Sequence, residues 1–121
     1  MTSRSLVVKL TAGKDEPERC NQALTVAATA VASGVHVSLW LTGEATWFAV
    51  PDRADDVALP HSVPLSQLLG KILAEGTVTV CTQCAARRNL TQDDLITGIR
   101  IAGAMTLVAE IMAEGAQALV Y

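Results

Sequence analysis

The chain is poor in aromatic residues and in charge. Of its 121 residues 3% are aromatic and 17% are charged, and nine basic against twelve acidic side chains leave a formal net charge of −3. So few aromatic side chains provide no platform for stacking bases, and a negative chain has no general attraction to phosphate. We therefore expect neither a nucleic acid nor a membrane surface among its partners.

Long apolar runs and targeting motifs are also missing. The first apolar stretch, residues 6–8, ends at Lys9 and is too short for a signal peptide. No stretch approaches the roughly 18 uninterrupted apolar residues of a membrane-spanning helix, and neither end carries a lipidation motif. These absences predict a cytoplasmic protein.

The familiar catalytic and cofactor motifs are absent as well. No phosphate-binding loop, dinucleotide fingerprint, nucleophile elbow or paired-histidine zinc motif occurs, so nucleotide, dinucleotide and hydrolase functions lose their usual support. Zinc at the cysteine pair 81 and 84 would need two further ligands, for which the chain offers Cys20, His36 and His61 but no second close-spaced pair. We expect no metal and no other cofactor.

Half of the residues are hydrophobic, which excludes intrinsic disorder and predicts one domain over residues 1–121. Strand-like runs at residues 4–10, 35–41, 77–80, 98–102 and 116–121 alternate with helical patterns that begin near residues 16, 64 and 104. This alternation is typical of βαβ units. It predicts a three-layer α/β/α fold with a parallel sheet of about five strands, whose order the pattern leaves open.

Three loops should meet where the parallel strands end, because ligands bind outside the carboxyl ends of such strands. They are residues 13–16, 42–44 and 81–84. The candidate binding residues in the first two loops are Gly13, Lys14, Asp15, Thr42, Gly43 and Glu44.

The third loop carries Cys81-Thr-Gln-Cys84, which contributes two of the three cysteines. In a reducing compartment this spacing indicates metal or redox chemistry more often than a structural disulfide. A helix start at this point, with Arg87 and Arg88 close behind, would favour the thiolate. Field strength alone assigns the lower pKa to Cys84, in the first helical turn. The alternative is that all three cysteines, Cys20 included, are small core residues.

The cysteine segment Val80-Cys-Thr-Gln-Cys-Ala-Ala-Arg-Arg88 resembles the DsrE/DsrF-like (YchN-like) family of small sulfur-metabolism proteins. The resemblance extends over most of the chain, through residues 11–19, 34–41, 64–69 and 94–98. It implies an α/β/α domain that assembles into homo-oligomers, often trimers or hexamers. It also implies that Cys81 matches the cysteine that carries sulfur as a persulfide in sulfur-relay members. Some relatives with this cysteine pair are described as predicted peroxiredoxins.

Three functions follow for comparison. In the first, the protein is a sulfur carrier: Cys81 accepts sulfur from a donor and passes it to an acceptor protein, Cys84 resolves the persulfide, and Arg87 and Arg88 favour the thiolate. In the second it is a thiol–disulfide oxidoreductase, and in the third a non-catalytic oligomeric scaffold. A half-hydrophobic chain of this size also predicts a homo-oligomer, for which Trp47 and Phe48 are the candidate interface residues.

Overall fold

The computed structural model describes residues 4–121, which are built around one sheet of five parallel strands. The strands are β1 (Ser5–Leu10), β2 (His36–Leu41), β3 (Thr77–Cys81), β4 (Arg100–Ala102) and β5 (Ala116–Val120). The α-helices are α1 (Pro17–Ala32), α2 (Leu65–Glu75), α3 (Thr82–Arg87) and α4 (Ala104–Ile111). Strand order is β4-β3-β2-β1-β5, so the connection from β4 to β5 crosses the whole sheet. The predicted parallel five-stranded α/β/α fold is confirmed.

One face of the sheet is closed by α1 and α2. The apolar positions of α1 recur every three to four residues, and the helix buries six of them, from Cys20 to Val31. They pack with α2 against the residues of the central strands that point to this side, such as Val37, Leu39 and Val78. Burial of this apolar surface is the main source of stability, and it fixes the strand ends on which the loops rest.

The other face is covered by α4, through the contacts of Glu110. Glu110 of this helix accepts hydrogen bonds from Ser38 Oγ (2.5 Å) and Trp40 Nε1 (2.9 Å), both of which alternate along β2 with the residues facing α1. Arg100 pairs with the second oxygen of Glu110 and donates to Thr79 Oγ1 at 2.6 Å. No residue of α4 is buried, and Met105, Val108 and Met112 are 89%, 56% and 76% exposed.

The short helical stretch after β2 is present as a 3-10 helix over Gly43–Ala49. The two aromatic side chains it carries do not form the surface we expected. Phe48 is 2% exposed and belongs to the hydrophobic core, and Trp47 is half-buried with the guanidinium of Arg53 stacked 4.6 Å from its ring centre. The expectation that Phe48 anchors an interface is therefore wrong, because this residue already packs inside its own chain. Within residues 4–121 no helix combines the length and apolar character needed to cross a membrane.

Candidate functional site

The loop after β2 and the cysteine loop after β3 meet, as predicted for neighbouring parallel strands. The backbone N–H of Gly43 donates to Cys84 Sγ at 3.3 Å. Glu44 forms an ion pair with Arg88 at 2.8 Å, and this pairing lowers the pKa of the Glu44 carboxyl. Arg88 also donates to the carbonyl of Cys84 at 3.1 Å. These bonds fix α3 against the end of β2.

The loop after β1 lies against the loop after β2. A Cβ atom on Gly13 would come within 2.7 Å of Glu44 Cβ, and one on Gly43 within 2.8 Å of the Thr11 carbonyl oxygen. Gly43 also has a φ of +54°, which disfavours other residues. The hydroxyl of Thr42 donates to Leu10 O at 3.1 Å. Gly13, Gly43 and Thr42 thus hold two loops together, a role the sequence analysis did not separate from ligand binding.

The two charged residues of that first loop lie away from the cysteines. Lys14 and Asp15 are exposed and line a shallow cavity of about 230 Å³. Its other walls are formed by Glu44, Trp47, Phe48, Arg53 and Asp56. Neither Cys81 nor Cys84 lines this cavity, and the charge of Asp15 acts instead on the buried thiol of Cys20.

Cys81 ends β3 and is also the N-cap residue of α3. Its half-buried side chain is subject to opposing effects. Burial raises the pKa of the thiol. Three effects outweigh it and bring the pKa of Cys81 below its ordinary value: the backbone N–H groups of Cys84 and Gln83, the thiol of Cys84, and the positive charge of Lys9. Free N–H groups at a helix start are the physical origin of this effect. The groups at the start of α3 thus favour the thiolate form of Cys81.

Cys84 stands one turn further on and is 9% exposed. The field argument favoured Cys84, but α3 begins at Thr82, so the backbone N–H groups of its first turn act on Cys81, the N-cap residue. The Cys81 thiol makes no capping hydrogen bond, but it lies close enough to the N–H groups of Gln83 and Cys84 for them to favour its thiolate. The lowered pKa therefore belongs to Cys81.

The largest contribution of a charged side chain to the pKa of Cys81 comes from Lys9. Arg88 is engaged with Glu44 and the Cys84 carbonyl, and Arg87 is exposed. Sequence analysis missed Lys9. The available signal was a single lysine inside the otherwise apolar run Leu6–Leu10 of β1.

Cys20 provides a contrast within the same chain. It is fully buried in α1, and its thiol donates to the carbonyl oxygens of Ala12 (3.2 Å) and Gly13 (3.1 Å). Burial, followed by the negative charge of Asp15, raises the pKa of Cys20 to about 11. Cys20 is a core residue, as one sequence alternative held.

Metal binding finds no support in this geometry. Over residues 4–121 no three His, Cys, Asp or Glu side chains come close enough together to hold a metal ion. His36 begins β2, at the opposite end of the sheet from Cys81. His61 lies beside a groove between α1 and α2.

Comparison with known proteins identifies the family. Residues 4–121 match the family described as DsrE/DsrF-like. The chain belongs to the DsrE/DsrF-like family. A curated relative, the uncharacterised protein MJ0989 of Methanocaldococcus jannaschii, is 32% identical over 94 residues, which cover 76% of this chain and 78% of that protein.

Solved structures share the fold of this family member. The YchN protein of E. coli superimposes with a TM-score of 0.80 at 17% identity, covering 98% of this chain and 99% of that one. MTH1491 of Methanobacterium thermoautotrophicum, a protein of unknown function, gives a TM-score of 0.73 at 10% identity, with 98% and 100% covered. At these identities the likeness concerns the fold alone. Membership of the family is consistent with a role in sulfur metabolism.

Proposed function

We propose that this protein is a sulfur carrier that holds sulfane sulfur as a persulfide on Cys81. The observation that carries the proposal is the position of Cys81 as N-cap of α3, half-buried and with a lowered pKa, while a second thiol follows three residues later. A thiolate is the form that attacks sulfur. Family membership supports the same chemistry.

The loading step is a displacement on sulfur. The Cys81 thiolate attacks the outer sulfur of a persulfide donor R–S–SH, a new S–S bond forms at Cys81, and the bond to the donor breaks. The donor leaves as the thiolate R–S⁻, so charge and electrons balance without any added oxidant. An acceptor thiolate then removes the outer sulfur from Cys81 in the same way, and Cys81 leaves as a thiolate.

Cys84 has the role of a resolving thiol. Its sulfur contributes to the lowered pKa of Cys81, which requires the two groups to be neighbours. When no acceptor arrives, the Cys84 thiolate attacks the inner sulfur of the Cys81 persulfide. The products are a Cys81–Cys84 disulfide and hydrosulfide, HS⁻. The Gly43 N–H donates to Cys84 Sγ and holds this sulfur in place at the end of β2.

Mass spectrometry of the intact protein tests the proposal directly. After incubation with a sulfane-sulfur donor, a carrier gains the mass of one sulfur atom, and a reductant removes it. In the wild type, discharge by Cys84 also ends in a disulfide and a loss of two hydrogens, so the decisive sample is Cys84→Ser: a variant that never gains a sulfur atom would instead identify a thiol–disulfide oxidoreductase. Thiols that remain unchanged would identify a scaffold.

Two substitutions separate the roles of the cysteines. Cys81→Ser should abolish the adduct, whereas Cys84→Ser should lengthen its lifetime because no neighbouring thiol remains to discharge it. Cys20→Ser is the matched control and should load like the wild type. An adduct that survives in Cys81→Ser and disappears in Cys84→Ser would reverse the two roles.

We further propose that the carrier is a homo-oligomer, with the α4 surface at its contact. The supporting observation is the exposed stripe Met105, Val108 and Met112, because soluble monomers rarely leave contiguous apolar patches uncovered. The family resemblance suggests a trimer or hexamer. Light scattering should give a multiple of the 12.7 kDa chain mass, and Val108→Glu should reduce it. A monomeric mass for the wild type at micromolar concentration would refute the assembly.

The remaining partners follow from the chemistry. The carrier needs a sulfur donor and an acceptor, both of which present a thiol or persulfide to the carboxyl edge of the sheet. It also needs a compartment in which thiols remain reduced, of which the cytoplasm is the ordinary example.

A further inference from the structure

Lys9 occupies an unusual place for a lysine. It lies in β1, a strand paired on both sides, between Val8 and Leu10, which are buried. Lysine is seldom found at such positions, because its ammonium group loses hydration there unless a partner compensates. Across residues 4–121 no carboxylate forms an ion pair with Lys9. The ammonium group of this half-buried side chain is therefore available to an anionic partner other than a carboxylate.

The register of the sheet places a candidate anionic partner on the same face as Lys9. Lys9 is opposite Trp40, and Trp40 is opposite Thr79. Residues in register share a face in a parallel sheet, and Cys81, two residues beyond Thr79, shares it as well. Two strand spacings separate Lys9 from Cys81 sideways, about 10 Å, and two residues along the strand add about 7 Å. An extended lysine side chain leaning towards the strand ends spans much of that gap.

We propose that Lys9 is the cation that holds the anionic sulfur carried at Cys81, so that β1 contributes a positioning residue to the cysteine site. The inference rests on the proposed function and deepens it. Lys9 would favour the thiolate before loading and the persulfide anion after it. Its charge is already among the effects that act on Cys81.

The other charged groups near this face are accounted for by contacts of their own. Arg100 and Glu110 pair with each other, and Arg88 pairs with Glu44. Arg87 is exposed on α3. Tyr121, whose side chain is a phenol, follows β5, and its backbone N–H donates to the Lys9 carbonyl at 2.8 Å. Ala104, Met105 and Thr106, which begin α4 beside the cysteine loop, carry no charge. Among the cations described over residues 4–121, Lys9 is thus the one whose charge acts on Cys81 without an ion-pair partner of its own.

The experiment measures the reactivity of Cys81 as a function of pH, without any sulfur donor. Iodoacetamide labelling of Cys81 is followed by peptide mass spectrometry in the wild type and in Lys9→Met, which keeps the length of the side chain and removes its charge. We expect the midpoint of the Lys9→Met profile to move up by about 0.5 to 1 pH unit, a roughly three- to tenfold loss of thiolate below the midpoint. Lys9→Arg should restore the wild-type profile. Lys71→Met, which removes an exposed charge from α2, should leave it unchanged.

A measurement on the unmutated protein covers the case in which Lys9→Met does not fold. The side-chain ¹³Cε signal of Lys9 should shift at the pH where Cys81 ionises, and this step should vanish in Cys81→Ser. A Lys9→Met profile that superimposes on the wild type, or a Lys9 signal with no such step, would overturn the proposal. Neither readout uses a sulfur donor, so the two proposals fail separately. If the protein is not a sulfur carrier, no sulfur adduct forms, yet Cys81 still responds to Lys9.

Discussion

The two faces of the sheet differ in how completely they are covered. On the face of α1 and α2, the side chains of β2 and β3 that point inwards are buried and apolar. On the face of α4, the same strands present Ser38, Trp40 and Thr79 to a charged network, and the helix above them buries none of its residues. The closed face provides the apolar burial, whereas the open face buries polar side chains of β2 and β3 beneath a charged network and leaves the outer surface of α4 exposed.

The cysteines follow the same division. Cys20 lies within the closed side, donates hydrogen bonds to two carbonyl oxygens and has a raised pKa. Cys81 lies at the edge of the open side, is surrounded by donors and has a lowered pKa. Residue type alone therefore says little about reactivity, since the direction in which nearby backbone groups point reverses the behaviour of the thiol.

The largest expected effect is on the closed face. Leu24→Ala removes a fully buried side chain of α1 and should lower the free energy of unfolding by about 2 to 5 kcal/mol, because it leaves a cavity against the sheet. Its exposed neighbour Thr25 provides the control, and Thr25→Ala should change stability by no more than about 0.5 kcal/mol. Urea unfolding measures both. Equal losses for the two variants would mean that α1 does not close this face.

The charged network on the open face should contribute less. Glu110→Gln should lower the free energy of unfolding by about 1 to 2 kcal/mol at pH 7, because bonds to a charged acceptor are lost while Arg100 is partly exposed to water. Glu75→Gln, at an exposed position of α2, is the control.

The effect of Glu110 should depend on pH in one direction. Burial raises the pKa of this carboxyl, but the hydrogen bonds from Ser38, Trp40 and Arg100 outweigh it, so the pKa in the folded protein is below the ordinary 4.5. Its contribution is therefore complete above about pH 4.5 and disappears as the pH falls through the folded value. The stability difference between wild type and Glu110→Gln should shrink in acid. A difference that grows in acid would contradict the assignment.

The smallest effect concerns the inert thiol. Cys20→Ala should cost on the order of 1 kcal/mol, because a buried sulfur and its two hydrogen bonds are removed. The labelling rate of Cys81 should stay the same. If that rate falls severalfold while the protein remains folded, the two cysteines are not independent and the division between the faces is too simple.

The periodicity of apolar residues was sufficient to predict which helix positions are buried on the closed face, but not on the open face. The buried positions of α1, from Cys20 to Val31, follow the predicted helical stripe. At the C-terminal helix, apolar residues recur at helical spacing as Ala104, Leu107, Val108, Ile111 and Met112, yet Val108 and Met112 point to solvent. A helix that is apolar on several sides does not reveal which side meets the sheet. The contact is made instead by Glu110, whose partners in β2 lie 72 and 70 residues away in sequence.

The candidate site was predictable in outline. That residues 42–44 and 81–84 would meet followed from the rule that parallel strands end at one edge, and the Gly43–Cys84 contact bears it out. The roles of individual side chains did not follow. The sequence did not show that Cys81 would be the N-cap residue of α3, where the first backbone N–H groups lower its pKa, or that a strand residue, Lys9, would add to this effect.

The most direct test of the account compares all three thiols in one sample. The folded protein is treated with iodoacetamide at pH 7, and labelling of each cysteine is followed over time by peptide mass spectrometry. We predict that Cys81 is labelled first, Cys84 much more slowly because it is buried, and Cys20 only when the protein unfolds. Labelling of Cys84 or Cys20 ahead of Cys81, or equal rates for all three, would contradict the claim that Cys81 is the reactive sulfur.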